Sequence, residues 1–397
     1  MISRICKPSK SQSFFIFGPR GSGKSTFLNQ FFDQNEVLKI DLLDPALENQ
    51  LLQNPSQLLS MWQVEKKPWI MIDEIQKRPE LLDLVHQSIE NKNIKFALTG
   101  SSARKLKKNS ANLLANRTAV FYMQPFSSVE LGTQFDLMQA LKFGLLPKYW
   151  NSSITLDDQD KIRSLYSYVN TYLKEEVAAE QLVRNLDPFR KFIHCAAQSD
   201  GQIINYSKIE RDAGVSHSQA ERHFEILIDT LIGSYLEPFE TSIRKRQSKK
   251  SKFYFFDPGV VRALLNLSQE ELVMRTSEFG NLFENFLTNE FFKLKNAFEK
   301  PWKFSYLRTK DGVEIDLIIE KPRGEIILIE IKSTDKIDLE SANHIRRIKK
   351  DLKTEASYVL SNDPLAKEVE GVQFLHWSEG LKKIFNIDIN NFDTVSM

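Results

Sequence analysis

The chain of 397 residues is long enough for two or three domains, since one hydrophobic core rarely organises more than about 250–300 residues. Its composition, 41% apolar and 27% charged, is that of an ordinary folded protein, and a formal net charge of +2 restricts any nucleic-acid surface to a local patch. The two cysteines, Cys6 and Cys195, form no Cys-x-x-Cys pattern, which excludes a disulfide framework or cysteine zinc site and indicates a reducing, cytoplasmic location. No apolar run is long enough for a membrane span, so no membrane partner is expected.

Short apolar runs alternate with helical patterns over residues 1–125. The runs are SFFIF (13–17), VLKID (37–41), WIMID (69–73), IKFALT (94–99) and TAVFYM (118–123). Buried runs separated by helices indicate the parallel strands of an α/β domain, whose ligand lies at the carboxyl ends of the strands. The sequence therefore predicts a parallel-sheet domain here, with its site at that edge.

A phosphate-binding loop is predicted directly after the first run, because GPRGSGKS has the spacing G-x-x-x-x-G-K-[ST]. Glycine backbone N–H groups and the amino end of the next helix attract phosphate. Lys24 is expected to reach the β- and γ-phosphates of ATP, and the Ser25 hydroxyl to ligate Mg²⁺. The predicted nucleotide-binding residues are Gly18, Gly21, Gly23, Lys24, Ser25 and Thr26.

Polar residues follow the third and fourth runs. WIMIDE ends in Asp73, expected to hold Mg²⁺ through water, and Glu74, expected to orient or deprotonate the attacking water. The alternative for this pair is two solvated acids at a strand end. Thr99 and Ser101 follow the fourth run, where a polar side chain could contact the γ-phosphate or the water.

The order of the motifs resembles a large group of prokaryotic AAA-type ATPases that carry a C-terminal domain of unknown function. The shared stretches are GPRGSGKST, IMIDEIQKRPEL, LTGSSARKL, LANR, MQPFSSVEL, GLLPKYW, YLKEEVAAEQLVRN, KFYFFDPGV and NLFENFLTNEF. The resemblance covers about residues 10–335 and implies a helical lid and connector, over 126–186, behind the nucleotide. The segment LLAN departs from the group, which usually has a glycine there.

An arginine finger, which stabilises charge in the transition state, has two candidates, Arg104 and Arg117. The resemblance places an arginine at the position of Arg117, which is therefore preferred. The finger could act within its own chain or on a neighbouring subunit, and the second mode requires a homo-oligomer. The alternative for each arginine is a solvated helix position.

A helix-turn-helix is predicted in YSKIERDAGVSHSQAERHFEILIDTL, with Ala213 at the helix crossing, Gly214 in the turn and Ser216 as N-cap. Two strands, YLEPFE and KFYFFD, flank RKRQSKKSK at 244–252, in which six of nine residues are Lys or Arg. Together they resemble a winged helix over 187–258.

A basic wing of this kind would contact DNA phosphates. Three considerations favour a structural role instead. Winged helices in ATPases often serve as packing modules, and a run of charges is often a solvated turn. The second helix also carries Glu221, Glu225 and Asp229, which would repel the DNA backbone on one face.

The last region, 259–397, is predicted to be mixed α/β, with a helix in NLFENFLTNEFFKLK and strands in KFSYLRT, VEIDLIIE and EIILIEIKST. Asp316 falls in the middle of a strand, and Glu330 and Lys332 share one strand face because they are two residues apart. Ionisable groups among apolar strands cost free energy unless they are paired.

The ordered set Glu284, Asp316, Glu330 and Lys332 resembles the PD-(D/E)XK nucleases. The resemblance implies Mg²⁺ or Mn²⁺ held by the three carboxylates, with Lys332 beside the nucleophilic water. The alternative is a Lys332 salt bridge with Glu330 or Asp316 and no metal.

The predicted fold is α/β: a P-loop parallel-sheet ATPase domain, a helical and winged-helix middle, and a mixed α/β nuclease-like C-terminal domain. The predicted function is ATP hydrolysis coupled to a DNA-binding winged helix and a metal-dependent nuclease-like domain, for DNA processing or defence. The alternative is a regulatory nucleotide switch whose C-terminal modules bind partners without cleavage.

Overall fold

The computed structural model describes residues 2–102, 117–151, 156–172, 186–240, 250–352 and 354–387. Some predictions lie outside the described residues. They are the candidate finger Arg104, most of the connector helix YLKEEVAAEQLVRN, and residues 244–249 of the basic segment. Helices and strands are numbered over the described ranges.

The first sheet is parallel, as predicted. Its strands are β1 Ser13–Phe17, β2 Val37–Asp41, β3 Trp69–Asp73, β4 Lys95–Gly100 and β5 Thr118–Tyr122, in the order β2-β3-β4-β1-β5. The flanking helices are α1 Lys24–Phe31, α2 Pro45–Gln53, α3 Gln57–Glu65 and α4 Leu81–Lys92. Alternate residues of β1 enter two separate apolar clusters, one on each face of the sheet. Burial on both faces explains why the strands read as unbroken apolar runs.

The middle region is helical. Its helices are α5 Ser128–Leu131, α6 Leu137–Phe143, α7 Asp158–Ser167, α8 Leu186–Gln198, α9 Tyr206–Ala213 and α10 His217–Asp229. Gly214 ends α9 in the left-handed conformation (φ 67°), and Ser216 caps α10 through a reciprocal pair of hydrogen bonds with Gln219. The predicted helix, turn and helix are therefore confirmed.

The second sheet has eight strands in the order β12-β13-β11-β10-β9-β8-β6-β7. They are β6 Gly233–Pro238, β7 Lys252–Phe255, β8 Lys303–Arg308, β9 Glu314–Glu320, β10 Ile326–Lys332, β11 Thr354–Ser361, β12 Lys367–Val369 and β13 Val372–His376. The helices around it are α11 Pro258–Leu264, α12 Ser277–Ala297, α13 Asn343–Asp351 and α14 Trp377–Phe385. β6 pairs with β7 in antiparallel and with β8 in parallel, so the strands after the helix-turn-helix belong to the C-terminal sheet.

Helix α12 packs on the other regions through its apolar face. The predicted core residues Phe283, Phe286, Leu287 and Phe291 are fully buried, and they belong to one cluster that extends from the middle region to the C-terminal sheet. A buried ion pair on the same helix, Glu290 with Lys293, bonds the backbone that follows β5: Glu290 accepts from Ser128, and Lys293 donates to the Phe126 carbonyl. The helix thus contacts all three parts of the chain.

Candidate nucleotide site and carboxylate cluster

The glycine loop lies between the end of β1 and the start of α1. Glycine is required at position 18, because an added Cβ would lie 1.9 Å from the Met123 carbonyl oxygen, and Gly23 has a left-handed φ of 92°. Lys24, Ser25 and Thr26 form the first turn of α1. The buried Lys24 Nζ donates to the carbonyls of Gly18 (2.8 Å) and Pro19 (3.2 Å), so the ammonium group lies inside the loop.

Asp73 at the end of β3 accepts two hydroxyl hydrogen bonds. Ser25 Oγ donates to Asp73 Oδ2 at 2.5 Å, and Thr99, at the end of β4, donates to Oδ1. The predicted Mg²⁺ ligands Ser25 and Asp73 are therefore in direct contact at the amino end of α1. A hydroxyl and a carboxylate are oxygen ligands that Mg²⁺ accepts together with water, so this pair fits the ion.

Glu74 adopts a left-handed backbone (φ 58°), which is uncommon for a residue with a side chain and tends to occur at functional sites. Its N–H donates to Thr99 Oγ1 at 3.1 Å, and its carboxylate accepts from the Gln76 amide. Gln76 Nε2 also donates to Ser101 Oγ at 2.9 Å, while the buried Gln76 Oε1 accepts no hydrogen bond from the described residues. Gln76 was not predicted, because its role depends on contacts with Glu74 and Ser101 that the sequence does not indicate.

The connector between the first sheet and the helix-turn-helix contacts the glycine loop. Tyr168 donates its hydroxyl hydrogen to the Arg20 carbonyl at 2.9 Å, and Pro147 Cγ lies 3.4 Å from where a Cβ on Gly23 would stand. Tyr168 opens a π-helical turn, Tyr168–Tyr172, a geometry often found at functional sites. The connector therefore covers one side of the predicted phosphate site.

Arg117 lies at the amino-terminal end of the first sheet's strands, and the glycine loop lies at their carboxyl-terminal end. Arg117 precedes β5, whose first residue pairs with Ser13 at the start of β1, whereas the glycine loop leaves the other end of β1. A five-residue strand spans roughly 16 Å. Arg117 donates to Glu90 of α4. The structure thus does not bring Arg117 to the nucleotide site of its own chain, and its role as a finger stays a prediction for a neighbouring subunit.

The predicted C-terminal site residues meet on β9 and β10. Asp316 Oδ2 accepts from the Ile331 N–H at 2.7 Å, and Lys332 Nζ donates to Glu330 Oε1 at 2.6 Å. Burial, followed by the Glu330 charge, raises the pKa of Asp316 well above its usual range, and burial raises the pKa of Glu330 although Lys332 opposes the shift. Glu330 Oε2 is buried and accepts no hydrogen bond from the described residues.

Glu284 on α12 has different partners. Its Oε1 accepts from Lys252 Nζ (3.2 Å) and from the Tyr254 hydroxyl (2.7 Å), and Lys252 also donates to Glu314 Oε1 at 2.7 Å. We call Glu284, Glu314, Asp316, Glu330, Lys252 and Lys332 the carboxylate cluster. Lys252 and Tyr254 were not predicted as site residues, although two polar groups on one face of an apolar strand were a signal.

The cluster fits a divalent ion only in part. Within the described ranges, no three His, Cys, Asp or Glu side chains form a group that could hold a metal ion. Asp316 and Glu330 alone still suit Mg²⁺, which is commonly held by one or two carboxylates and water, and the unpartnered Glu330 oxygen is available to it. Glu284 as a third ligand stays a prediction, because its charge is already paired with Lys252.

Comparison with protein families divides the chain into three parts. Residues 10–132 match the family model of an AAA domain. This segment, which contains the parallel sheet and the glycine loop, is similar to AAA domains. Residues 134–271 and 279–379 match two models described as domains of unknown function, DUF8612 and DUF4143.

The relatives of the whole chain carry no assigned activity in their names. An uncharacterized protein of Mycobacterium tuberculosis is 25% identical over 333 residues, which cover 80% of this chain and 70% of the relative. Another from Methanocaldococcus jannaschii is 21% identical, covering 88% and 81%. The solved ORC2 protein of Aeropyrum pernix is 13% identical and covers 65% of this chain and 88% of its own, with a TM-score of 0.24.

None of the described helices has the length and apolar character to cross a membrane.

Proposed function

We propose that the protein hydrolyses ATP at the glycine loop. The observation that carries this proposal is the Asp73 carboxylate held between the Ser25 and Thr99 hydroxyls, with Glu74 bonded to the same threonine. The proposed metal ligand and sensor hydroxyl are hydrogen-bonded to each other, and the backbone N–H of the proposed base donates to the same hydroxyl, at the carboxyl edge of one parallel sheet, where α/β domains bind ligands.

In the proposed reaction, phosphate oxygens replace the loop carbonyls as partners of Lys24, and the loop N–H groups hold the β-phosphate. Ser25 and Asp73 would hold Mg²⁺, which would supply positive charge to the β- and γ-phosphates. A water oxygen bonds to the γ-phosphorus, the bond from that phosphorus to the β–γ bridging oxygen breaks, and ADP leaves. Glu74 orients the water and accepts its proton.

Two variants separate binding from hydrolysis. Lys24→Ala should abolish binding of a fluorescent ATP analogue, because the phosphates lose their cation. Glu74→Gln should bind ATP with Mg²⁺ and release no phosphate, because an amide does not accept the proton. Glu65→Gln, on the surface of the same domain, is the matched control. Hydrolysis by Glu74→Gln at the wild-type rate would refute the assignment of the base.

We also propose that the middle region is a winged helix that contacts nucleic-acid phosphates. The helix, turn and helix of α9 and α10 and the antiparallel β6–β7 pair support this proposal, together with the lysines and arginines of 244–250. Lys252, which was predicted to belong to this basic segment, does not contribute, because it is buried in β7 and paired with Glu284 and Glu314. Glu221 and Glu225 are exposed on α10, so the phosphate contacts must come from the basic segment.

Salt dependence tests the basic segment. Affinity for duplex DNA should fall steeply as salt rises, and replacing Lys249 and Lys250 with methionine should reduce the slope by about two phosphate contacts for every sequence tested. Binding that is insensitive to salt, or no binding at about 50 mM salt, would leave this region with a structural role.

Metal-dependent cleavage of nucleic acid is the second candidate function. The buried, unpartnered Glu330 Oε2 favours it, because this oxygen lies beside Asp316 and Lys332 with no partner among the described residues. The Lys332–Glu330 ion pair favours the alternative, a nucleotide switch that binds partners without cutting. Calorimetry with Mn²⁺ decides whether an ion binds: the heat should disappear in Asp316→Asn. Lys332→Ala should keep that heat and lose cleavage.

A further inference from the structure

Strand β7, with which the motif KFYFFDPGV begins, supplies two hydrogen-bonding groups to the carboxylate cluster that the functions proposed above do not use. In β7, Lys252 and Tyr254 are two residues apart, so both side chains reach the same face, and both donate to Glu284 Oε1. Lys252 is only 3% exposed, so its ammonium group is paired with carboxylates instead of water.

Lys252 bridges two carboxylates on different elements. Its Nζ lies 3.2 Å from Glu284 of α12 and 2.7 Å from Glu314 of β9, and the Asp316 charge also acts on it. The cluster contains four carboxylates and two ammonium groups, and Lys332 pairs with Glu330. Lys252 therefore neutralises the half of the cluster that contains Glu284, whereas Asp316 accepts only a backbone N–H bond among those described.

We propose that Lys252 is an internal counter-ion that keeps Glu284 out of a divalent-cation site formed by Asp316 and Glu330. The inference rests on the cation site proposed above. An ammonium group at hydrogen-bonding distance occupies the Glu284 oxygen and repels a second cation nearby, because charges interact strongly where water is excluded. The tyrosine hydroxyl holds the same oxygen, so Tyr254 is a second positioning residue.

Lys252 is the last residue of the basic segment 244–252, and the preceding backbone is fixed by a hydrogen bond from the Tyr306 hydroxyl to the Lys250 carbonyl at 2.6 Å. The residues proposed to contact phosphates, up to Lys250, thus lie two positions before the buried lysine that holds Glu284.

Titration of the full-length protein with Mn²⁺ tests the proposal by calorimetry and by the electron paramagnetic resonance of free Mn²⁺. Wild type should bind weakly through two carboxylates. Lys252→Met should bind at least about tenfold more tightly, because a third carboxylate becomes available and affinity follows ligand charge. Adding Glu284→Gln to Lys252→Met should restore the wild-type affinity. Lys252→Arg keeps the charge and Lys303→Met lies on the exposed surface of β8, so both should behave as wild type.

The outcomes separate this inference from the cation site itself. Equal affinity in wild type and Lys252→Met, with loss in Asp316→Asn, would refute the role of Lys252 and leave the site. No binding in any variant would overturn both. If Lys252→Met does not fold, Tyr254→Phe removes one hydrogen bond to Glu284 and should raise affinity by a smaller factor that Glu284→Gln reverses. An unchanged affinity in Tyr254→Phe would then count against the proposal.

Discussion

The chain pairs its two acidic centres with different partners. Asp73, at the nucleotide site, accepts from the hydroxyls of Ser25 and Thr99. In the carboxylate cluster, Glu284 and Glu330 are bonded to the ammonium groups of Lys252 and Lys332. Asp73 and Glu330 are buried, so their partners decide how much negative charge remains for a ligand.

A hydroxyl leaves the charge of its carboxylate intact, and it can turn its own oxygen toward a cation. An ammonium group cancels the charge and offers no lone pair. The proposed nucleotide site therefore keeps its negative charge for Mg²⁺, whereas the carboxylate cluster is partly neutralised within the protein. The difference teaches that acids in a predicted site are informative only together with the groups that pair them.

The largest effect should come from testing whether the nucleotide site is complete within one chain. Arg117→Ala should lower ATP turnover by roughly 10³-fold with little change in ATP affinity, as loss of an arginine finger does. Because Arg117 lies at the far edge of its own sheet, we expect a mixture of Arg117→Ala and Lys24→Ala proteins to recover activity at sites shared between subunits. Steady-state phosphate release from the mixture measures this.

Arg163→Ala, on the exposed side of α7, is the control for loss of a surface arginine. Turnover by Arg117→Ala within a factor of two of wild type would assign Arg117 to its ion pair with Glu90 alone. A strong loss without recovery in the mixture would require movement of Arg117 toward its own site, which would contradict a site shared between subunits.

The residues of the two sites that are set by spacing within one short stretch of sequence could be predicted. The glycine loop, Asp73, Glu74 and the alternation of Glu330 with Lys332 are fixed by a few neighbouring positions. Groups that depend on strand pairing could not be predicted: Lys252 meets Glu284 only because β6 joins β8, and Arg117 is far from the loop because β5 runs parallel to β1. Gln76 was missed for another reason, since a glutamine carries no signature until Ser101 is known to lie beside it.

A smaller effect on ATP turnover should follow from replacing Gln76, whose side-chain amide donates to Glu74 and Ser101 at the nucleotide site. Gln76→Met keeps the size of the side chain and removes its hydrogen bonds to Glu74 and Ser101. We expect kcat to fall roughly tenfold with KM unchanged, the equivalent of one hydrogen bond to a charged group. Gln87→Met, exposed on α4, is the control. A rise in kcat, or a change in KM alone, would show that Gln76 does not position the base for hydrolysis.

The smallest expected effect is on stability and comes from Asp200. This buried acid is paired neither with hydroxyls, as Asp73 is, nor with an ammonium group, as Glu330 is; it keeps its proton. Asp200 accepts from the Phe255 N–H at 2.7 Å and from the Asn285 amide at 2.8 Å, and has no cationic partner among the described residues. Burial raises its pKa to about 8, with a further contribution from the Glu284 charge. Between roughly pH 4 and pH 8 the unfolded chain loses this proton and the folded protein retains it, so stability must fall as pH rises.

Thermal unfolding measures this difference. From about pH 6 to about pH 8 the stability contribution of Asp200 should fall by about 2 kcal/mol, lowering the midpoint by a few degrees at most in a chain of this size. Asp200→Asn should have a lower midpoint at both pH values, because its NH₂ group meets a donor, and should lose this part of the pH dependence. Asp83→Asn, exposed on α4, should keep it. An equal slope in Asp200→Asn and wild type would mean that Asp200 is ionised in the folded protein. Its carboxylate would then add a negative charge beside Glu284 that the two lysines of the cluster do not offset.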